Sequence, residues 1–215
     1  VDGPSLQGQY IAEYRNEHVL FDREKIQVWD WAGVNIKNES QGNEKDSTSI
    51  QYHVIQKLKE QNFDIIFDDD NAGEIADVIA IEVDDVNKKV KVELFHLKFS
   101  QEDRPGARIN DLYAVNGQAQ KCVSWLHTRP EHIIGRMLRR GASGPKNRYE
   151  LGTEEQLSII REKVKSLYEI EYIVHIVQPG LSKAAASREQ LKLLSLTEAF
   201  LWETRMIKLG VIASA

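Results

Sequence analysis

The chain has 215 residues, of which 41% are hydrophobic and 28% are charged, and these proportions are ordinary for a globular protein with a buried core. Its formal net charge of −5 at pH 7 excludes the overall basic character that marks many nucleic-acid-binding proteins. The single cysteine, Cys122, excludes a disulfide framework and a cysteine-based zinc site. No apolar run reaches the roughly 18 residues of a membrane-spanning helix, and we expect a cytoplasmic protein without membrane contact.

The N-terminal part, residues 1–46, alternates polar and apolar residues in short bursts, which predicts short strands or an irregular lead-in packed on the core. The hydroxyl residues at 47–49 can cap a helix that runs to about Gln61. Residues 47–215 are predicted to form the main domain. Because position 1 is not Met, we expect the chain to be part of a longer polypeptide.

Three strand candidates follow, at 63–67, 75–83 and 90–100. The second is apolar on both faces, which predicts a central strand. A polar turn at 84–89 joins the second and third candidates into a hairpin.

Helical and strand patterns alternate through the remaining chain. We predict helices at 110–127 with Asn110 as the cap, at 130–141, at 153–168 and at 187–205, and strands at 170–177 and 207–213. A hairpin followed by a strand that is reached through helices predicts an α/β fold with a mixed central sheet flanked by helices.

A functional site is predicted where the second and third strands lie side by side. His96 and Lys98 are two residues apart in the third strand, so their side chains share one face. Asp77 begins the second strand and can lie beside them. Burying a carboxylate, an imidazole and an ammonium is costly unless they pair or bind a metal, and this cost favours a site over a surface hairpin.

Two charged segments can be interpreted either as solvated surface or as binding sites. The acidic run 68–70 resembles a metal-binding cluster, but it is more typical of a solvated turn. A basic segment can bind phosphates or form a solvated charged face, and it consists of Arg136, Arg139, Arg140, Lys146 and Arg148.

The element order, with an aspartate and a lysine on adjacent strands, resembles the PD-(D/E)xK nuclease superfamily over roughly residues 47–178. Several stretches resemble, more narrowly, the C-terminal nuclease-like domain of bacterial DEAD/DEAH-box helicases of restriction and phage defence; these are 67–70, 73–77, 95–100, 111–113, 117–121 and 177–183. The resemblance implies a restriction-endonuclease-like αβββαβ core with inserted helices and an extra C-terminal helix and strand.

The resemblance also implies roles for the predicted site residues. Asp77 matches the first aspartate of the motif, a metal ligand, and Lys98 matches the motif lysine. Position 96 is acidic in the family but is His here, and an imidazole suits Mn²⁺ better than Mg²⁺. The implied cofactor is Mg²⁺ or Mn²⁺, held by Asp77, His96 and the Leu97 carbonyl.

Four further residues receive supporting roles from the same comparison. Gln120, counted as catalytic, and Lys121 are expected to contact the phosphates of the strand that is cut. Gln51 stands where related nucleases sometimes place Glu, and it is expected behind the metal ligands. Glu74 is a supporting or alternative carboxylate whose role depends on a turn at Gly73, because continuous strand geometry would place it on the opposite face.

The predicted function is metal-dependent phosphodiester hydrolysis of DNA, together with a helicase region of the same polypeptide; RNA as the substrate is left open. The alternative is a nuclease-fold module that has lost cleavage and binds DNA or docks a partner protein. The histidine at position 96 keeps this alternative open.

Overall fold

The computed structural model describes residues 20–143, 147–166 and 168–215, which form a seven-stranded mixed sheet flanked by helices. The strands are β1 (Ile26–Val28), β2 (Ile65–Asp68), β3 (Val78–Asp84), β4 (Lys89–Leu97), β5 (Tyr149–Leu151), β6 (Glu169–Ser182) and β7 (Lys208–Ser214). The helices are α1 (Ile50–Lys59), α2 (Asn110–Lys121), α3 (Val123–Leu126), α4 (Pro130–Gly141), α5 (Glu154–Ser166) and α6 (Arg188–Arg205). This architecture confirms the predicted α/β class with a mixed central sheet.

The strand order is β1-β7-β6-β4-β3-β2-β5. Strands β2, β3 and β4 form an antiparallel meander, whereas β4, β6, β7 and β1 pair in parallel. β3 lies between β4 and β2 and is buried on both faces at its start, so the predicted central position of this strand is confirmed.

Each face of the sheet carries its own apolar core. Val54 of α1 packs on one face in a cluster that contains Phe95. The other face carries a larger cluster that contains Ile79 and Leu94 together with residues of α2 to α6. Successive residues of β3 and β4 therefore enter opposite cores, as the two-residue period of a strand requires.

Hydroxyl caps fix three of the predicted helix starts. Ser49 accepts a hydrogen bond from the Tyr52 N–H at the start of α1, and Thr153 Oγ1 accepts one from the Gln156 N–H at 3.2 Å. Ser187 forms a capping box with the side chain of the residue three positions later. These contacts satisfy backbone donors that have no partner within the helix.

Other predicted boundaries were wrong. β3 begins at Val78 rather than at 75, because the preceding loop makes a turn with left-handed backbone at Asn71 and Gly73. The helix predicted for 110–127 is two helices, and no side chain caps the first of them, where Asn110 is already helical. The sequence patterns did not indicate β5, which pairs antiparallel with β2 at the sheet edge.

The predicted lead-in 1–46 is described only in part. Within it, β1 pairs in parallel with β7, so Ile26 lies opposite Val211. The strands predicted for positions before 20 lie outside the described residues. Among the helices that the structure describes, none combines the length and apolar character that crossing a membrane requires.

We predict that Gly210→Ala destabilises the fold. A Cβ at this position would overlap the ring of His175, which cannot move away because it stacks on Phe95 at 4.4 Å and bonds Glu93 at 2.7 Å. Overpacking of this kind costs about 1–3 kcal/mol, measurable as a loss in the free energy of unfolding in urea.

The matched control is Gly117→Ala, because nothing lies within 4 Å of a Cβ at that exposed position of α2. Replacing glycine by alanine inside a helix is expected to increase stability by about 0.5–1 kcal/mol. Equal effects of the two substitutions would contradict the close approach of His175 to Gly210.

Candidate functional site

The candidate site lies where β3 begins and β4 ends. Asp77 directly precedes β3, and its backbone N–H donates to the Phe95 carbonyl at 3.0 Å. Its carboxylate oxygen Oδ2 accepts the Leu97 N–H at 2.8 Å. The Asp77 side chain therefore continues the pairing of the two strands, and the residue is only 5% exposed.

Two further carboxylates meet Asp77 at this end of the sheet. Asp70, Glu74 and Asp77 each offer one oxygen, and these three atoms lie within 4.8 Å of one another. The turn at Asn71 and Gly73 makes this possible, because the Asn71 N–H donates to Glu74 Oε2 at 3.0 Å. The turn on which the role of Glu74 depended is present, and we call these three residues the acidic cluster.

Burial and mutual repulsion act on the acidic cluster. Burial is the main cause that raises the pKa of Asp77 well above its usual value, while the Leu97 N–H opposes the shift. The charges of Glu74, Glu39 and Asp70 raise the same pKa further. Burial also raises the pKa of Glu74. The folded chain thus holds carboxylates in a place where their charged forms are disfavoured without a cation.

The residues present fit a divalent cation. Three carboxylate oxygens are hard ligands of the type that Mg²⁺ and Mn²⁺ prefer. A second observation points in the same direction, since a cleft of about 310 Å³ lies beside the cluster and Glu74 lines it. His96 lines the same cleft, is 3% exposed, and its Nε2 atom has no hydrogen-bond partner.

Lys98 is tied to the acidic cluster through the segment that precedes α1. Its Nζ atom forms an ion pair with Glu39 Oε2 at 2.8 Å, and the same oxygen accepts the Phe99 N–H at 2.9 Å. The next residue, Ser40, donates from Oγ to Asp70 Oδ2 at 2.5 Å. The ammonium of Lys98 therefore pairs with Glu39, and the next residue in the chain, Ser40, contacts Asp70 of the acidic cluster.

Gln51 supports the cluster from α1. Its Nε2 atom donates to Asp68 Oδ1 at 3.1 Å and to the Asp77 carbonyl at 3.4 Å. Its Oε1 atom accepts the Gln41 N–H at 2.9 Å. All its polar atoms are thus engaged behind Asp77, which is the placement expected from the sequence.

The direct meeting predicted for Asp77, His96 and Lys98 is not formed. In the part of the chain that the structure describes, no hydrogen bond or ion pair joins any two of these side chains. The Asp77 carboxylate accepts the Leu97 N–H, and Lys98 follows the last residue of β4, where strand parity no longer fixes its direction. Leu97 contacts the Asp77 side chain through its backbone N–H, a donor that cannot itself bind a cation.

Two of the side chains that line the cleft beside the cluster, those of His96 and Cys122, are uncharged at neutral pH. Burial, and secondarily the charge of His175, lowers the pKa of His96 to about 3. Burial raises the pKa of the Cys122 thiol to about 12, so the reactive thiolate form is disfavoured. His96 is therefore a neutral imidazole that faces the cleft, outside the acidic cluster.

The two helical residues predicted to contact phosphates differ in their placement. Gln120 donates to Thr197 Oγ1 of α6 at 2.9 Å, so its amide faces α6 and not the acidic cluster. Lys121 is exposed and lines the cleft with His96. Consecutive residues of a helix point about 100° apart, which separates the two side chains.

The acidic run 68–70 is not the solvated turn that the sequence favoured. Asp68 and Asp69 are fully buried. Asp69 forms an ion pair with Arg140, and its Oδ2 atom accepts the Ile75 N–H at 2.7 Å. Burial nevertheless raises the pKa of Asp69. Asp68 and Asp69 thus lie buried at the start of the loop that carries Asp70 and Glu74.

The described part of the basic segment divides into residues that bond the acidic loop and residues that line a second cleft. Arg140 donates to the carbonyls of Asp69 and Ala72, and Arg148 donates to the carbonyls of Asp68 and Asp70. These two guanidinium groups are occupied in holding the acidic loop. Arg136 and Arg139 instead line a second cleft, and Lys146 lies outside the described residues.

Comparisons with known proteins yield no match, whether the chain is scanned against protein-family models or searched against curated proteins and solved structures. The role of the acidic cluster therefore has to be argued from its chemistry.

We predict that Asp77→Asn stabilises the metal-free protein at neutral pH. Because the folded-state pKa of Asp77 is raised, its contribution to stability is present below the unfolded value near 3.8 and is lost as pH rises through the folded value. Asparagine removes the charge and can still accept the Leu97 N–H. In EDTA at pH 7.5 the melting temperature should rise by about 2–4 °C for each kcal/mol regained.

Added Mn²⁺ should raise the melting temperature of the wild type and leave that of the Asp77→Asn variant almost unchanged. Glu162→Gln removes an equal charge from α5, where Glu162 pairs with Lys165 at the surface, and serves as the control. If the Asp77→Asn variant melts below the wild type in EDTA, the proposed repulsion between Asp77 and the other carboxylates of the acidic cluster is ruled out.

Proposed function

We propose that the chain is a metal-dependent nuclease domain that hydrolyses phosphodiester bonds of DNA. The observation that carries this proposal is the convergence of three carboxylate oxygens within 4.8 Å, on Asp70, Glu74 and Asp77. Lys98 stands at the end of the neighbouring strand and is held by Glu39. Carboxylates that share a cation beside an ammonium are suited to a substrate whose reacting group is a phosphate.

The arrangement of the sheet supports the same proposal. The order α1, β2-β3-β4, α2, β6 is the order that the resemblance to PD-(D/E)xK nucleases implies, with α6 and β7 added at the end. A restriction-endonuclease-like interpretation, a helicase region in the same polypeptide and a cytoplasmic location belong to this proposal.

The chain's own groups have distinct tasks in the proposed reaction. A bound Mg²⁺ or Mn²⁺ would lower the pKa of a water molecule and offset charge on the phosphate oxygens. Glu74 is half-buried and lines the cleft, and it would accept the proton of the attacking water. Lys98 would donate hydrogen bonds to a phosphate oxygen as negative charge grows there.

The bonds and protons balance without any further reactant. The water oxygen forms a bond to phosphorus while the bond from phosphorus to a sugar oxygen breaks. One proton of the water passes to Glu74, and the departing sugar oxygen takes a proton from solvent. Asp77 stays fixed throughout, because Leu97 and Gln51 hold its side chain and its carbonyl.

A second candidate function is a nuclease-fold module that binds DNA or docks a partner without cleaving. His96 favours this candidate, because the position that the family fills with an acid carries a neutral imidazole outside the acidic cluster. The arrangement of Asp70 and Glu74 favours cleavage instead, since both supply carboxylates that compensate for the missing acid.

We predict nicking of supercoiled plasmid DNA in the presence of Mn²⁺ and, to a smaller extent, Mg²⁺. Asp77→Asn and Glu74→Gln should each lower the cleavage rate by about 100-fold or more, because each removes a ligand or a proton acceptor. Lys98→Met should lower it by roughly 10²-fold through lost charge stabilisation.

Glu162→Gln, far along α5, should leave the rate unchanged. DNA binding with no cleavage under either metal would overturn the nuclease proposal and support the second candidate. Cleavage that survives Asp77→Asn at the wild-type rate would show that the activity comes from elsewhere or from a contaminant.

A further inference from the structure

A second cleft, of about 280 Å³, lies between α4 and α5 and is lined by three arginines. These are Arg136 and Arg139 of α4 and Arg161 of α5, and no acidic residue lines the cleft. None of the three makes a hydrogen bond or an ion pair in the described ranges, and the Nε atoms of Arg136 and Arg161 are buried without a partner. We call this the arginine cleft.

Packing rather than ion pairing positions the guanidinium groups of Arg136 and Arg161. Arg136 lies over the ring of Trp125 at 4.5 Å from its centroid. Arg161 lies against the backbone of α4, where a Cβ built on Gly135 would be 3.3 Å from its Nη2 atom. Stacking and close backbone approach hold the guanidinium groups of Arg136 and Arg161 in place, while their buried Nε donors have no partner. A buried donor without a partner is costly unless a ligand satisfies it.

The charge balance around Arg136 leaves an excess of positive charge. Asp69 is the carboxylate whose charge acts favourably on Arg136, but it is already ion-paired with Arg140. Arg139, Arg140 and Arg148 all repel Arg136. An anion in the arginine cleft would relieve both the repulsion and the unmet donors.

The arginine cleft adjoins the acidic cluster. A Cβ built on Gly73 would lie 3.3 Å from Arg136 Nη2, and Gly73 directly precedes Glu74. Trp125 lines both the arginine cleft and the cleft that contains His96. A nucleic-acid strand that passes the acidic cluster could therefore reach the arginine cleft over a short distance.

We propose that the arginine cleft binds a phosphate group of the nucleic-acid strand, with Arg136, Arg139 and Arg161 as its ligands. Guanidinium groups suit this task because their planar donors match pairs of phosphate oxygens. The inference rests on the proposed function for the identity of the strand. The anion site itself depends only on the three arginines.

The test is binding of a fluorescein-labelled single-stranded oligothymidylate, followed by fluorescence anisotropy in EDTA so that cleavage does not interfere. Arg161→Gln and Arg139→Gln should each weaken binding by about tenfold, the effect of losing a hydrogen bond to a charged group. The slope of log K against log salt concentration is negative, and its magnitude should fall by about 0.7 for each arginine removed. Arg188→Gln, an exposed arginine at the start of α6, should change neither quantity.

Two oligonucleotides, one with a 5′-phosphate and one with a 5′-hydroxyl, distinguish a terminal phosphate from an internal phosphodiester as the ligand. If the arginine cleft takes a terminal phosphate, a 5′-phosphorylated strand binds more tightly than a 5′-hydroxyl strand, and Arg161→Gln removes the difference. If it takes an internal phosphodiester, the two strands bind alike and the substitution weakens both. Arg161→Lys should keep the salt slope but lose affinity, because an ammonium cannot bond two oxygens in the fork geometry of arginine.

Binding within twofold of the wild type and an unchanged salt slope in both Arg161→Gln and Arg139→Gln would overturn the inference. Melting curves of each variant test whether it is folded. Arg139 is exposed, so its substitution does not disturb the core packing. A failure of the nuclease proposal can be told apart from a failure of this inference. In that case the wild type does not cleave DNA, but Arg161→Gln and Arg139→Gln still weaken oligonucleotide binding.

Discussion

The buried ion pair between Arg140 and Asp69 is the interaction on which the candidate site depends. Arg140 reaches from α4 to the loop after β2 and also bonds the carbonyls of that loop. Removing one partner of such a pair typically costs about 3–5 kcal/mol, because the other charge is left buried and uncompensated. With the pair in place, the loop turns at Gly73 and brings Asp70 and Glu74 to Asp77.

This arrangement opposes the local electrostatics. The pKa values of Asp69, Glu74 and Asp77 are all raised, chiefly by burial, so the fold holds these carboxylates in an environment that disfavours their charge. Arg140 and Arg148 compensate for one side of the loop, where Asp69 lies. On the side that carries the acidic cluster, Arg140 lowers the pKa of Glu74, but burial outweighs this effect, and the charges of Glu74 and Asp70 still raise the pKa of Asp77.

The basic segment shows how one stretch of sequence serves two purposes. Arg140 and Arg148 bond backbone carbonyls and belong to the framework of the loop. Arg136 and Arg139, three residues apart, face the arginine cleft and meet Arg161 from a helix that the basic segment does not include. The charge pattern indicated phosphate contact, but it could not separate framework residues from free ones. Arg161 carried no local signal, since it is one charge on an ordinary amphipathic helix.

The sequence by itself determined the α/β class, the central hairpin, a helix start within 47–49 and the helix start at Ser187, because periodicity and capping depend on neighbours within a few residues. It also predicted Asp77 as a site residue, and Glu74 on the condition of a turn that the structure contains. Only the tertiary structure decided which charges meet, since Arg140 bonds a carbonyl 71 positions away and Gln120 turns toward α6. Such partners come from packing of distant elements, and strand parity fails for Lys98 because the strand has already ended.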